Sequence, residues 1–288
     1  MNRAFVAGIG LLAVAAAPAV AADLPVKAPP LIVAYNWNGC YVGANGGWKW
    51  GRFRDSADVP STTATFPLVG AVTAVADVAY PDQINGNSGA LGAQLGCRWE
   101  TPGHWVFGVE GDFDWTNLSA TSVLRTPSGV GLTFVPGDSF TDRMRWESSV
   151  RAIFGRSFDR WLVYGTAGVA FARVSMDSNY IATISGGIPF PPSAGSDSKI
   201  LPGITIGGGV AYALSKNWDI GAEYRFTAYA KGDFNLGPVA GSCGNISNVA
   251  VVIGCVNQNS TGHKDLETSE ILFKLNYRFD YGPIVARY

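Results

Sequence analysis

Residues Trp105–Trp115, WVFGVEGDFDW, admit few folds. Trp105, Phe107, Val109, Phe113 and Trp115 recur at period 2. Glu110, Asp112 and Asp114 fall on the opposite face, with Val106 and Gly108. An extended strand separates residues in this way. A tryptophan at each end of an apolar face describes a strand that crosses a lipid bilayer with its polar face turned inward. A half-buried strand of a soluble sheet carries the same alternation, so the rest of the chain must discriminate.

The N-terminus bears on the compartment. Residues 1–22 hold one basic side chain (Arg3), an apolar run from Ala4 to Ala17, and the small-x-small signal Ala19-Val20-Ala21. This reads as a secretory signal peptide, cleaved after Ala21 or Ala22. No later apolar run approaches the ~18 residues of a membrane helix, so a membrane crossing requires a closed barrel. Without Arg3 the chain has 20 basic and 22 acidic side chains. That balance offers no basic excess for nucleic acid. Four cysteines in an exported chain permit disulfides. Cys243 and Cys255 share a Gly/Asn/Ser-rich stretch and read as a loop disulfide. Cys40 and Cys97 fall in strands expected to pair; they either cross-link or remain small apolar side chains.

Asp23–Tyr35 holds three prolines and no periodicity, and residues 23–37 read as an extended periplasmic lead-in. Eight alternating segments follow: Cys40–Trp50, Gly89–Trp99, Trp105–Trp115, Arg145–Phe158, Trp161–Val174, Gly203–Leu214, Trp218–Ala228 and Ile271–Phe279. In the fifth, the small residues Thr166, Gly168 and Ala170 share a face. Each segment is long enough for a tilted crossing of ~9–11 residues. Glu100–His104, Asp159–Arg160 and Ser215–Asn217 are tight turns, whereas Gly51–Ser88, Thr116–Met144, Ser175–Pro202 and Tyr229–Glu270 are long connections. Short periplasmic turns alternating with long outer loops are the rhythm of outer-membrane barrels. All nine tryptophans lie at or beside strand ends, as two aromatic girdles require. The expected fold is therefore all-β: an eight-stranded antiparallel up-and-down transmembrane β-barrel over residues 38–279, with residues 280–288 as a tail.

Particular residues carry a family likeness. Ala22-Asp23-Leu24-Pro25 and Tyr35-Asn36-Trp37-Asn38-Gly39-Cys40-Tyr41-Val42-Gly43 open the mature chain; Phe107-Gly108-Val109-Glu110-Gly111-Asp112, Asp159-Arg160-Trp161-Leu162-Val163-Tyr164-Gly165, Gly207-Gly208-Gly209-Val210-Ala211-Tyr212 and Asn276-Tyr277-Arg278-Phe279 follow. Together they resemble the alphaproteobacterial outer-membrane immunogenic proteins, eight-stranded barrels often called the porin family. Cys40 stands where that family usually has Phe, and Ala211 where it usually has an acid. The resemblance implies residence in the outer membrane of a Gram-negative cell, among lipid and lipopolysaccharide, after insertion by the barrel-assembly machinery. It implies a structural and surface-antigen role in envelope integrity. The alternative it carries is capture of haem or a host ligand by the long loops, with a small-solute porin the less favoured reading.

The alternation places charges inside. Glu110, Asp112, Asp114, Glu147, Asp219 and Glu223 face Lys49, Arg98, Arg145, Arg151, Arg225, Lys274 and Arg278. An eight-stranded barrel is only wide enough for side chains, so these charges are expected to pair and plug the lumen. Glu110, Asp112 and Asp114 share a face as a cation site would, but the abundant bases favour salt bridges. No cofactor is expected, nor catalysis. His104 lies in a turn, and His263 with Asp265 is the only pair placed like the rim residues of outer-membrane hydrolases. Gly207-Gly208-Gly209 lies within a strand and reads as close packing, not a phosphate loop.

Overall fold

The computed structural model describes residues 35–58, 62–66, 70–74, 82–123, 139–180, 183–185, 188–190, 193–239 and 258–279. The expected signal peptide, the lead-in up to Ala34, the Cys243/Cys255 pair and the tail after Phe279 lie outside them. Among the described residues every regular element is a strand: β1 Gly39–Asp58, β2 Thr62–Phe66, β3 Gly70–Ala74, β4 Asp82–Glu100, β5 Trp105–Val123, β6 Ser139–Phe158, β7 Trp161–Tyr180, β8 Thr183–Ser185, β9 Ile188–Phe190, β10 Ser193–Ala213, β11 Trp218–Tyr229, β12 Gly232–Val239 and β13 Gln258–Arg278.

Nine of these form one antiparallel sheet in the order β1-β4-β5-β6-β7-β10-β11-β13-β12, and β1 also pairs β13, which closes the ring. The ninth strand adds no ninth wall. β11 pairs the lower half of β13, from Trp218↔Tyr277 to Ala228↔Glu267, and β12 resumes along its upper half at Gly232↔Lys264. They are one wall interrupted at Ala230–Lys231, so the barrel has eight staves. Two small hairpins, β2–β3 and β8–β9, stand apart from the sheet.

The tight turns set one end of the barrel. Asp159 closes the β6–β7 turn at φ 54° and His104 the β4–β5 turn at φ 63°, positions where short polar side chains tolerate a left-handed backbone better than branched ones. At the opposite end the strands outrun the segments expected from sequence. β13 begins at Gln258 rather than Ile271, and β5 and β6 pair up to Val123↔Ser139.

The outer face is apolar. Leu95, Ile204 and Phe273 are 68%, 70% and 66% exposed, which water would not tolerate over a band this broad but lipid does. Eight of the nine tryptophans stand on that face, Trp105 stacking on Phe154 and Trp146 on Phe113. Trp37 corrects the girdle reading. It is 1% exposed and packs inside the barrel mouth against Val106, Ile153, Leu162 and Tyr164. Of the two outcomes open for Cys40 and Cys97, the structure has the cross-link, between directly paired residues of β1 and β4.

Candidate functional site in the barrel lumen

The interior is filled in three layers. At the short-turn end, residues 35–38 fold across the mouth. The Trp37 amide donates to Glu100 Oε2 (2.9 Å) and the Glu100 amide to Asn38 Oδ1 (2.5 Å). The Arg278 guanidinium donates to the Asn36 carbonyl and lies 4.5 Å from the Tyr35 ring. Arg98 lies 4.2 Å from the Tyr41 ring and 5.6 Å from Trp37. Burial pushes the Tyr35 phenol up to about 12.

The middle layer is charged. Arg151 reaches Glu110 (2.6 Å), Asp112 and Glu223. Lys274 bridges Glu110 (2.7 Å) and Glu223 (2.6 Å). Arg225 is the hub: its Nη2 lies 3.0 Å from Asp112, and its Nη1 lies 3.2 Å from Asp114, 3.0 Å from Glu270 and 3.6 Å from Glu147. Lys49 holds Glu147 (2.5 Å) and Glu270 (3.0 Å). Three tyrosines cap the carboxylates: Tyr41 donates to Glu110 (2.6 Å), Tyr164 to Glu223 (3.0 Å) and Tyr229 to Glu147 (2.7 Å). Nearer the short turns, Arg98 faces Asp219 at 3.5 Å and Asn276 donates to the same carboxylate (2.8 Å).

The third layer, toward the long loops, is apolar. Phe53, Leu118, Met144, Val174, Met176, Leu201, Phe234, Leu236 and Leu266 pack into one core inside the barrel. Within it lies a buried ion pair, Lys264 with Asp142, with the ammonium over the Phe53 and Phe234 rings.

Glycines make room for these side chains. A Cβ on Gly168 would strike the Val150 carbonyl and come within 2.7 Å of Arg151 Cα; on Gly96 it would lie 2.6 Å from the Tyr41 hydroxyl, and on Gly209 2.8 Å from that of Tyr164. Gly168 sits between Thr166 and Ala170, so the small face of β7 is the space that Arg151 occupies.

Of the charges expected inside, Lys49, Arg98, Glu110, Asp112, Asp114, Glu147, Arg151, Asp219, Glu223, Arg225, Lys274 and Arg278 are buried in the lumen. Arg145 is not. The β6 register shifts between Met144 and Trp146, and this bulge turns Arg145 onto the exposed outer face. An extra residue breaks the inside–outside alternation from which its place was read. Asp142, Lys264 and Glu270 join the interior unforeseen, because they lie in segments expected to be loops.

Among the described residues, the groups that could serve metal or hydrolytic chemistry already have charged neighbours. Oxygens of Asp114, Glu147 and Glu270 come within 4.8 Å of one another, but the Arg225 and Lys49 nitrogens already stand between them. His263 and Asp265 are drawn to different neighbours: His263 Nδ1 meets Asp233 at 2.6 Å, and Asp265 meets Arg54 at 3.6 Å. His104 lies in its turn, 3.3 Å from Glu100.

Comparison with known proteins agrees with this architecture. Residues 7–279 match the family model described as outer membrane protein beta-barrel domain. The chain is 28% identical over 227 residues to the 31 kDa outer-membrane immunogenic protein of Brucella melitensis, covering 77% of this chain and 85% of that one. It is 25% identical over 207 residues to the 22 kDa outer membrane protein of Rhizobium leguminosarum, covering 72% and 71%. Among solved structures it is similar to the outer membrane protein OprG of Pseudomonas aeruginosa, with a TM-score of 0.40, 9% identity and coverage of 85% and 98%.

Proposed function

Starting from a chain that belongs to the outer-membrane β-barrel protein family and resides in the outer membrane, we propose a closed, non-conducting, non-enzymatic barrel whose work is to brace the envelope and hold surface loops outside it. The observation that carries this reading is the filled lumen. A solute entering from the outside meets the Phe53–Met176–Leu266 core, then the Arg225 and Arg151 networks, then the Trp37 cap. Opening such a path would strip buried ions of their partners, at several kcal/mol each. The relatives' designation as immunogenic outer-membrane proteins accords with a surface-displaying role.

Purified, refolded protein in planar bilayers tests the proposal. Current at the bare-membrane level is expected. Long-lived, ohmic, solute-permeable openings from a heat-modifiable, fully folded sample would refute closure.

A further inference from the structure

The bulge that turns Arg145 outward places it beside a second exposed guanidinium. Trp115, Trp146 and Arg173 are aligned across β5, β6 and β7 by the pairings Trp115↔Trp146 and Trp146↔Arg173. Arg145 sits in the register shift immediately beyond Trp146. On β7 the outward residues run from Trp161 to Phe171, the ~11 residues of a tilted crossing, and Arg173 is the next outward position. Both arginines therefore stand at the aromatic girdle on the long-loop side, facing the headgroups of the outer leaflet. At this depth a cation is tolerated, unlike at the midplane.

Among the described residues, the other outward arginines of the strands have partners. Arg52 and Arg54 pair with Glu267 at 3.6 and 3.1 Å, and Arg143 pairs with Asp177. Arg156, at the opposite girdle, lies over the Trp105 and Phe158 rings. Among the described residues neither Arg145 nor Arg173 is bridged to a carboxylate, and Arg173 donates only to the Ser198 hydroxyl at 3.2 Å. Two arginines on neighbouring strands, with no carboxylate bridged to either among the described residues and indoles beside them, suit a phosphate.

We propose that Arg145 and Arg173, with Trp146 between them, bind the phosphorylated headgroup of the outer-leaflet glycolipid, lipopolysaccharide. The indoles pack against its acyl–sugar boundary while the guanidinium groups hold a phosphate. Membrane residence alone does not require this surface, and its test is separate from the conductance test of closure.

The test titrates the refolded full chain in non-ionic micelles with bisphosphorylated lipid A, dephosphorylated lipid A, phosphatidylglycerol and inorganic phosphate, with bound lipid counted by native mass spectrometry. Saturable one-to-one binding of bisphosphorylated lipid A is expected, with weak binding of the other three. R145Q/R173Q should weaken it roughly thirtyfold, from about fivefold per surface cation, and R156Q should leave it unchanged. Heat-modifiable migration establishes that each variant is folded. R173Q alone, outside the bulge, should give about fivefold should the double variant not fold. Equal affinity of wild type and R173Q, equal binding of dephosphorylated lipid A or phosphatidylglycerol, or capture of free phosphate alone would overturn the proposal.

Discussion

Replacing Arg225 with Met should be among the costliest single changes in the barrel wall. Its guanidinium lies 3.0 to 3.6 Å from Asp112, Asp114, Glu147, Glu223 and Glu270. At an effective dielectric near 20, one contact at about 3.2 Å amounts to about 5 kcal/mol of attraction before desolvation is subtracted. The connected network holds six carboxylates (Glu110, Asp112, Asp114, Glu147, Glu223 and Glu270) against four cations (Lys49, Arg151, Arg225 and Lys274). It already carries a formal excess of two negative charges, and R225M raises that to three while leaving Asp114 without a bridging cation. A loss of about 3–5 kcal/mol is expected. D114N should behave oppositely: it reduces the excess to one and leaves Arg225 its other acids, so its cost should stay below about 1 kcal/mol. In the R225M background it should restore about 1–2 kcal/mol. Urea unfolding of refolded protein in lipid vesicles, followed by tryptophan fluorescence and heat-modifiable mobility, measures all four corners of the cycle. The reasoning fails if R225M unfolds within about 0.5 kcal/mol of wild type, a margin typical of surface changes, or if D114N is the more damaging single variant.

Three other outcomes are expected. G168A should destabilise by about 1–3 kcal/mol or more, because the new methyl meets the Val150 carbonyl and the Arg151 backbone; thermal shift in micelles would detect it, and an unchanged midpoint would mean that β7 has slack beside Arg151. Removing the cross-link in C40A/C97A, which spans 57 residues of sequence, should cost about 2–4 kcal/mol, read as a lower urea midpoint than that of oxidised wild type, with equal midpoints counting against it. The Tyr35 phenol, held up at about 12 against an ordinary 10.0, contributes stability that is complete below pH 10 and is lost as pH rises through about 12. Y35F should therefore flatten that stretch of the stability profile, and identical alkaline profiles would contradict the half-buried position of the ring.

What the sequence made legible follows from contrast between faces. Wherever lipid lies outside and charge inside, as along Trp105–Trp115, alternation is strong and both strand and register can be read. The contrast vanishes above the girdle. On β13, Asp265, Glu267 and Ser269 face outward while Lys264, Thr268 and Glu270 face inward; with polar residues on both sides the strand passes for a loop, and its two interior charges with it. Arg145 was lost for a different reason. Parity counts residues, and a bulge adds one without any mark in composition. Trp37 shows the limit of position as a signal, since a tryptophan beside a strand end reads as girdle whether the chain before it runs along the wall or turns into the mouth. The hub role of Arg225 was equally hidden. Its place inside followed from alternation, but that five carboxylates converge on it depends on how three other staves, β5, β6 and β13, are staggered against β11.

The disulfide orders events in the life of the chain. Cys97 lies one outward step deeper into the lipid than Trp99, and its partner Cys40 offers its carbonyl to the Phe279 amide at the seam where first and last staves meet. Once the ring is shut and embedded, that sulfur pair is screened from water-borne thiols and oxidants by lipid on one side and by a packed wall on the other. Its chemistry belongs to the periplasmic passage, when β1 and β4 are still accessible. Whichever state the two sulfurs have reached by insertion is the state the mature barrel keeps.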